Sequence, residues 1–182
     1  MSAAKTAGVF FKRCSLQPLA GGESMDTTIR SAKQDDYAAL LPLFRQVHDL
    51  HVFERPDLYK KNATPVEEAL FHDQLHDDRQ HIFVATLGME IVGVVVLQEE
   101  DIRENSFVNA RKVLLVNSLC VADTLRKKGI GRKLMHHVFD FAKGLGIDSI
   151  ELGVSERNRQ AIHFYESIGM TTKSRKMEFR LS

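Results

Sequence analysis

The fold of this chain is decided by the stretch Arg126-Lys127-Lys128-Gly129-Ile130-Gly131. It follows the apolar run Val113–Val121 and precedes an amphipathic segment from Arg132 to Leu145, so we expect a strand to pass through a glycine turn into a helix. Two glycines two residues apart let the backbone approach a ligand closely, and the first turn of a helix leaves N–H groups unpaired. The helix dipole adds about half a positive charge at that end. The stretch therefore predicts an anion site.

Two common phosphate-binding motifs do not match this turn. A dinucleotide fingerprint needs a third glycine where the chain has Leu134, and a P-loop needs Gly-Lys-Ser/Thr where Gly131 is followed by Arg132 and Lys133. The pattern Arg-x-x-Gly-x-Gly resembles the pyrophosphate-binding loop of the GNAT superfamily of acyl-CoA-dependent N-acyltransferases, which reads Gln/Arg-x-x-Gly-x-Gly/Ala. Taken alone, the basic run also fits a solvated surface or a nucleic-acid patch.

The charge balance of the whole chain argues against nucleic acid as a partner. Lys and Arg number 25 against 24 Asp and Glu, which gives a net charge of +1 and a pI of about 7.8. A nucleic-acid-binding domain is usually far more basic. The positive charge is concentrated around one turn, so we expect its target to be local.

A second motif supports the same family. Residues 158–170 read Asn-Arg-Gln-Ala-Ile-His-Phe-Tyr-Glu-Ser-Ile-Gly-Met. Their apolar spacing predicts a helix, with Asn158 as its N-cap and Gly169 in the left-handed position after its end. The segment is similar to the GNAT motif Asn-x-x-Ala-x-x-Phe-Tyr-Glu-x-x-Gly-Phe/Met. The two motifs also occur in the order and at the separation typical of that family.

The resemblance implies an α/β protein with the GNAT fold over residues 25–182. In this fold a central, mixed but mostly antiparallel twisted sheet is flanked by helices and is splayed at the acyl-CoA site. Residues 1–24 are interpreted as an N-terminal extension, with a weak transit peptide as the alternative. The predicted strands are Thr27–Ser31, His81–Leu87, Glu90–Gln98, Lys112–Ala122, Ser149–Ser155 and the alternating Met177, Phe179 and Leu181. The predicted helices are one from Asp35 or Asp36 through Leu50, Val66–His76, one after Gly131, and one within the second motif that carries Tyr165.

Family membership would make this protein an N-acetyltransferase that uses acetyl-CoA as co-substrate. The acceptor amine would attack the thioester directly in a ternary complex, without an acyl-enzyme. A bulge in the strand at Leu119–Val121 would offer backbone N–H groups to the thioester carbonyl. The residues expected to bind acetyl-CoA are Leu119, Cys120, Val121, Arg126, Lys127, Lys128, Gly129, Ile130, Gly131, Arg132 and Asn158.

Three residues are expected at the reaction centre. Tyr165 occupies the family position that often protonates the departing coenzyme A thiolate, although an isolated tyrosine on such a helix is usually a core aromatic. Some protein-acetylating members carry a glutamate where this chain has Gly153. Glu151, two residues earlier on the same face, is the candidate base through a water molecule that Asn117 would position. A structural role for Glu151 and Asn117 is the alternative.

The acceptor is expected to be a small amine or a peptide amine, bound near Arg55, Asp57 and Tyr59. These residues lie between the first two predicted helices, where GNAT acceptors commonly bind; a proline turn packed on the core is the alternative. No nucleic acid and no membrane are expected as partners, and a homodimer is left open. The rival function is an acyl-CoA-binding module without turnover, which the missing glutamate at position 153 allows.

The remaining composition indicates a cytoplasmic protein. Cys14 and Cys120 are far apart in dissimilar settings, so a disulfide is not expected and a reducing compartment fits. The longest apolar run, Ile91–Leu97, is far shorter than the ~20 residues that cross a membrane. His72 and His76 have a helical metal-ligand spacing but lack a third ligand, so no metal is expected.

Overall fold

The computed structural model describes residues 26–181, so the extension predicted over residues 1–24 lies outside the described part. The strands are β1 (Thr27–Ser31), β2 (Gln80–Leu87), β3 (Glu90–Ile102), β4 (Arg111–Val121) and β5 (Ser149–Glu151). The helices are α1 (Tyr37–Glu54), α2 (Glu68–His76), α3 (Ile130–Gly144) and α4 (Arg159–Ser167), with short 3-10 turns at Gln34–Asp36 and Asp123–Leu125. None of the helices described is long and apolar enough to cross a membrane.

The five strands form one mixed sheet in the order in which they occur along the chain. Neighbours from β1 to β4 are antiparallel, whereas β4 and β5 are parallel. A parallel pair needs a long crossover connection, which α3 supplies. The predicted fold class, a mostly antiparallel mixed sheet flanked by helices, is confirmed.

Both faces of the sheet are covered, because alternate residues of the central strands pack in opposite directions. Ile82 and Val84 pack with α1 and α2, where Leu40 and Phe71 are fully buried. Phe83 and the other strand residues of opposite parity pack with α3. Helix α3 contributes five buried residues to the core on its side of the sheet: Ile130, Leu134, Met135, Val138 and Ala142. The sheet is therefore the middle layer of three.

A bulge in β4 reverses the direction of its side chains. Val96 of β3 pairs with Ser118, but the next residue, Leu97, pairs with Val116, so Asn117 is an extra residue. Before the bulge Leu114 and Val116 pack on the α3 side. After it Cys120, which has the same parity as those two residues, packs on the α1 side. The bulge was predicted within Leu119–Val121, and the structure places it two residues earlier.

The sheet is splayed between β4 and β5. The two strands pair only over Val113–Leu115 and Ser149–Glu151. Beyond Leu115, β4 continues to Val121 with β3 alone as its partner. The strand predicted over Ser149–Ser155 therefore ends four residues early, at Glu151. Residues 152–155 diverge from β4 instead of pairing with it.

Several other predicted boundaries change. Helix α1 runs four residues past Leu50 to Glu54, and α2 begins at Glu68 instead of Val66. The predicted final strand is wrong as an element of this sheet. Residues 170–181 have no assigned secondary structure, and Met177, Phe179 and Leu181 are largely exposed, since their apolar alternation finds no partner strand within the described chain.

Gly93 lies where β3, β4 and α3 meet, so it should tolerate no side chain. A Cβ at Gly93 would lie 3.1 Å from the Cys120 carbonyl oxygen and 3.1 Å from Cδ1 of Leu134. Because strand and core both resist movement, Gly93→Ala should lower the free energy of unfolding by about 1–3 kcal/mol. Gly144→Ala is the control, because a Cβ there meets nothing within 4 Å, and it should be neutral or stabilising by up to about 1 kcal/mol. Urea unfolding that gives both variants the same stability would contradict this account.

Candidate functional site

A pocket of about 520 Å³ lies in the gap between β4 and the segment that follows β5. Helix α1 covers one side, and the first turn of α3 together with helix α4 closes the other. The residues that line it from β4 onward are Val116 to Val121, Leu125 to Lys127, Gly129 to Arg132, Gly153 to Ser155, Asn158, Gln160, Ala161, His163 to Tyr165 and Ser167. From α1 it is lined by Gln46, Val47, Leu50 and His51. The splay of the sheet thus creates the pocket.

The glycine turn enters α3 through two left-handed residues. Lys127 has φ of 63° and Gly129, the N-cap, has φ of 83°. A left-handed lysine costs about 1–2 kcal/mol, and such strain concentrates at functional sites. The first helical bond runs from Lys133 N to Gly129 O at 3.0 Å, so the N–H groups of the three residues between them have no acceptor in the helix. These unpaired N–H groups at a dipole's positive end are suited to an anion.

Close packing around Gly131 limits the side chain that this position can hold at the mouth of the turn. A Cβ there would lie 3.4 Å from Cζ of Phe164 and 3.7 Å from Cγ2 of Val121. These are ordinary contact distances, so alanine fits and a branched side chain does not. The turn, strand β4 and helix α4 therefore meet at Gly131.

The basic residues of the turn differ in their partners and in whether they line the pocket. Arg126 pairs with Asp123 at 2.6 Å. Arg132 donates to the hydroxyl of Ser167 at 3.2 Å and to its carbonyl, which joins the start of α3 to the end of α4. Both line the pocket, as Lys127 does, whereas Lys128 is exposed and lies outside the lining.

The last residues of β4 present an unpaired strand edge to the pocket. Leu119, Cys120 and Val121 all line it, and their second edge has no partner strand among the described residues. Alternate N–H and C=O groups of such an edge pair readily with an extended ligand. Asn117, the bulged residue, also lines the pocket and donates to Oε1 of Gln98 at 3.3 Å.

Gln46 of α1 is a pocket residue that the sequence reasoning missed. Its Nε2 donates to Val121 O and to Cys120 Sγ, both at 2.9 Å, and its Oε1 accepts from Asp123 N at 3.0 Å. The amide therefore fixes the end of β4 before the glycine turn. The signal in the sequence was a glutamine on the apolar side of α1, between Leu43 and Leu50.

A buried thiol and a half-buried phenol lie in this pocket. Burial raises the pKa of the Cys120 thiol to about 12. Desolvation likewise raises the pKa of the Tyr165 phenol to about 12. Within residues 26–181 the Tyr165 hydroxyl has no hydrogen-bond partner, so it is available to a ligand.

Asn158 caps α4 as predicted. Its Oδ1 accepts from Ala161 N at 3.0 Å, and Gly169 after the helix has φ of 93°. The same asparagine lines the pocket, and its side-chain amide N–H groups are not used by the cap. It therefore lies where a ligand along β4 would pass.

The structure does not bring Glu151 to the pocket lining. The carboxylate is paired with Lys173 and with Arg111, the latter at 2.8 Å. The ammonium of Lys173 and the guanidinium of Arg111 lower the pKa of Glu151, which makes this carboxylate a poor proton acceptor. Its contacts join β5 to β4 and to the C-terminal segment.

Of the three residues expected to bind the acceptor, only Tyr59 approaches the pocket. Its ring stacks on His51, a lining residue, with centroids 5.2 Å apart and an interplanar angle of 23°. Arg55 and Asp57 lie outside the lining and pair with each other at 2.8 Å. That pair faces the C-terminal segment through Glu178 and Arg180.

Among the described residues that line the pocket, none carries a carboxylate. Its ionisable side chains other than Cys120 and Tyr165 are three cations (Arg126, Lys127 and Arg132) and two imidazoles (His51 and His163). The cations lie around the glycine turn, whereas His51 is on α1. One end of the pocket is thus suited to an anion, and the other contains the imidazole of His51.

This combination defines a class of protein. A splayed β4–β5 pair, a glycine turn into α3 and a tyrosine on α4 together are typical of acyl-CoA-dependent N-acyltransferases. Residues 44–170 match the acetyltransferase (GNAT) family. The chain belongs to the GNAT family and is an acetyltransferase of a family that uses acetyl-CoA.

Relatives and solved structures agree with this assignment. The chain is 28% identical over 143 residues to the N-acetyltransferase YhfO of Bacillus subtilis, covering 78% of this chain and 87% of that protein. It is 29% identical to a mutant of the BH1408 protein of Bacillus halodurans, with a TM-score of 0.83 over 85% of this chain and 99% of that one. An aminoglycoside acetyltransferase from a soil metagenome shares the fold at 20% identity, with a TM-score of 0.66 over 86% and 95% of the chains.

Proposed function

We propose that this protein transfers an acetyl group from acetyl-CoA to a primary amine by direct attack in a ternary complex. The observation that carries the proposal is the pocket between β4 and β5, which has an anion-binding turn at one end and His51 of α1 in its lining at the other. Acetyl-CoA would extend from the turn along β4 and the amine would bind on the α1 side, so the reaction needs no acyl-enzyme. Cys120, the buried thiol in the lining, is an unsuitable nucleophile because burial raises its pKa to about 12.

The residues present fit the coenzyme. The N–H groups of Ile130, Gly131 and Arg132 receive the pyrophosphate, and Arg126 and Lys127 neutralise its charge. The edge of β4 over Leu119–Val121 pairs with the amides of the pantetheine arm, which is itself an extended chain. Asn158 contacts that arm from α4. The absence of carboxylates from the lining removes repulsion for this polyanion.

The bulge at Asn117 is proposed to offer backbone N–H groups to the thioester. An extra residue leaves the local ladder unpaired, so N–H groups beside it are free to polarise the thioester carbonyl as negative charge develops on its oxygen. Holding the amine against that carbon contributes the proximity effect. Asn117 itself is proposed to orient the acceptor or a water molecule beside it.

Tyr165 is proposed to protonate the departing thiolate. A phenol of ordinary pKa near 10 gives its proton to a thiolate of ordinary pKa near 8.5 at a cost of roughly 2 kcal/mol. Burial raises the pKa of the Tyr165 phenol to about 12, so the phenol keeps its proton at neutral pH. A hydrogen bond from this phenol to the developing thiolate stabilises the leaving group even without full proton transfer.

His51 is proposed to accept the proton of the acceptor ammonium. An aliphatic amine with pKa near 10.4 is neutral only about once per thousand molecules at pH 7.4, a cost of about 4 kcal/mol. With Glu151 held in ion pairs outside the pocket and no carboxylate in the lining, His51 is the acid–base group on the α1 side. Its stacking on Tyr59 fixes the plane of the ring.

The acceptor class is proposed to be a small amine or a peptide amine. The net charge of +1 provides no long-range attraction for a polyanion. A solved neighbour of the same fold is an aminoglycoside acetyltransferase, so aminoglycosides belong in the test panel beside polyamines, amino acids and short peptides.

Gly131→Val should weaken acetyl-CoA binding strongly, whereas Gly131→Ala should preserve it. Alanine makes ordinary contacts with Phe164 and Val121, but valine collides with them and displaces the turn. We expect the dissociation constant to rise at least about tenfold for valine, equivalent to 1.4 kcal/mol, and by only a few fold for alanine. Isothermal titration calorimetry measures both variants, with circular dichroism to confirm folding. Equal affinity for acetyl-CoA in the two folded variants would refute the assignment of the turn.

Tyr165→Phe should lower kcat about a hundredfold and leave acetyl-CoA affinity within a few fold, because it removes only the proton donor. The assay measures coenzyme A release against the amine panel. Because the pKa of Tyr165 is raised to about 12, the phenol stays protonated at lower pH, and wild-type kcat should show no alkaline loss from this group below about pH 11. If the phenylalanine variant keeps the wild-type kcat while the chemical step is rate-limiting, Tyr165 is not the proton donor and serves only in packing.

His51→Gln should lower kcat/KM and move its acid limb to higher pH, toward the pKa of the free amine, because the proton acceptor is lost. His48→Gln is the matched control. His48 lies one turn earlier on α1, contacts the Lys60 carbonyl at 2.9 Å and is outside the pocket lining. The pH dependence of kcat/KM is measured with one amine for all three proteins. If His48→Gln and His51→Gln leave the same acid limb as the wild type, His51 is not the base.

A further inference from the structure

Helix α1 lies along the pocket and is fastened near both ends of it. Close to the glycine turn, Gln46 holds the helix to the end of β4. Further along, Nη1 of Arg157 donates to the carbonyl oxygen of Glu54, the last residue of α1, at 2.6 Å. The last carbonyls of a helix have no partner within it, so a guanidinium suits them. About 12 Å of helix separates the two contacts, so Arg157 lies far from the anion turn.

Arg157 belongs to the rim of the pocket, on the loop that joins β5 to α4. The lining includes Ser155 and Asn158, which lie on either side of Arg157 in the sequence. It also includes His51, which lies one helical turn before Glu54 on the same side of α1. The Arg157 side chain therefore joins the two walls of the pocket on the side where the acceptor amine is proposed to bind.

The positive charge of Arg157 is not neutralised within the described chain. Its guanidinium contacts the Glu54 carbonyl and makes no ion pair with any described carboxylate. The Nε and Nη2 groups, which share one edge of the guanidinium, have no acceptor among the described residues. A guanidinium that is fixed by one N–H and exposes this edge is suited to hold a carboxylate by two parallel hydrogen bonds.

The acids around this rim leave that edge open. Glu156 pairs with Arg175 at 3.4 Å, and Asp57 in the loop after α1 pairs with Arg55 at 2.8 Å. Glu54 makes no ion pair, but one of its carboxylate oxygens is buried, so it cannot offer both oxygens to a ligand. Arg157 is exposed to solvent and can be reached. The group that the rim presents to an acceptor is therefore the guanidinium.

We propose that Arg157 binds a carboxylate of the acceptor, so that the acceptor is an amino acid or a related amino carboxylate. This inference rests on the proposed acetyl transfer and names its acceptor class. The carboxylate lies on the Nε–Nη2 edge, and the amine lies toward His51 and the thioester. The contact with Glu54 orients the guanidinium before the acceptor arrives, which reduces the entropic cost of binding. A polycation finds no carboxylate among the described lining residues and is repelled by Arg157.

Acceptor pairs that differ only in the carboxylate test this assignment. Free glycine, β-alanine and 4-aminobutyrate are each compared with their carboxamides, and glycylglycine with its amide represents the carboxyl end of a peptide. The measurement is kcat/KM for coenzyme A release by the full chain. For the best pair, the acid-to-amide ratio should fall about tenfold or more in Arg157→Gln, because charge-assisted hydrogen bonds are lost, and should partly recover in Arg157→Lys. The pair with the highest ratio reports the spacing between amine and carboxylate.

The ratio separates recognition from a merely structural role. If Arg157 only caps α1, its loss lowers the turnover of acid and amide alike and the ratio stays at the wild-type value. Arg159→Gln is the matched control. Arg159 is also exposed, lies two residues later and pairs with Glu156 instead of α1, so this variant should keep the wild-type ratio.

Calorimetric titration of the same acids and amides in the presence of coenzyme A separates a wrong acceptor class from a wrong reaction. Acids that bind through Arg157 but are not acetylated would disprove the acetyl transfer and leave the carboxylate site standing. An equal acid-to-amide ratio in the wild type and Arg157→Gln, for binding and turnover, overturns the carboxylate site alone. A preference for 1,3-diaminopropane over β-alanine that disappears in Glu54→Gln also overturns it, because the rim would then select a cation.

Discussion

The separation of β4 from β5 after Leu115 is the constraint on which the rest of this structure depends. Only three residue pairs join the two strands, and the following part of β4 has one bare edge. Backbone groups on that edge need partners, and the gap beside them supplies room for an extended ligand. The pocket and the set of residues that line it follow from this divergence.

The bulge at Asn117 changes which face of the sheet the side chains at the end of β4 point to, beside the gap between β4 and β5. Without the extra residue, Cys120 would face α3 and its neighbours would face α1. With it, Leu119 and Val121 pack on the α3 side, while Cys120 meets Gln46 on the α1 side. The single amide of Gln46 then fixes the strand end before the glycine turn. One inserted residue thus lets the end of β4, which lines the pocket, contact α1 on one face and α3 on the other.

Electrostatics divides the pocket into two ends. Cations and unpaired helical N–H groups gather at the start of α3, and the carboxylates near the site are held in ion pairs outside the lining, as Glu151 is. Burial raises the pKa of the Tyr165 phenol and, on the α1 side, that of the Cys120 thiol, so both side chains keep their protons at neutral pH.

Local sequence patterns determined the family, the helices and strands around the two motifs, and the caps at Asn158 and Gly169. These features depend on residues close together in the chain, where glycine conformation, capping and helical spacing act directly. For the same reason the hairpin at Gly88 and strand β1 were predicted well. The anion-binding turn at Gly129 and Gly131 could be predicted from the sequence because it depends on glycine conformation and on backbone N–H groups.

Tertiary structure alone decided where β5 ends, where the bulge lies and which side chains share the pocket. Strand length depends on the partner, so residues 152–155 and the apolar alternation after Met170 were predicted as strands although no described strand pairs with them. Glu151 was named from its face on β5, but Lys173 and Arg111 hold it elsewhere, and such ion pairs join residues distant in sequence. Gln46 and His51 reach the pocket because α1 packs across β4, a contact between elements that no local pattern records.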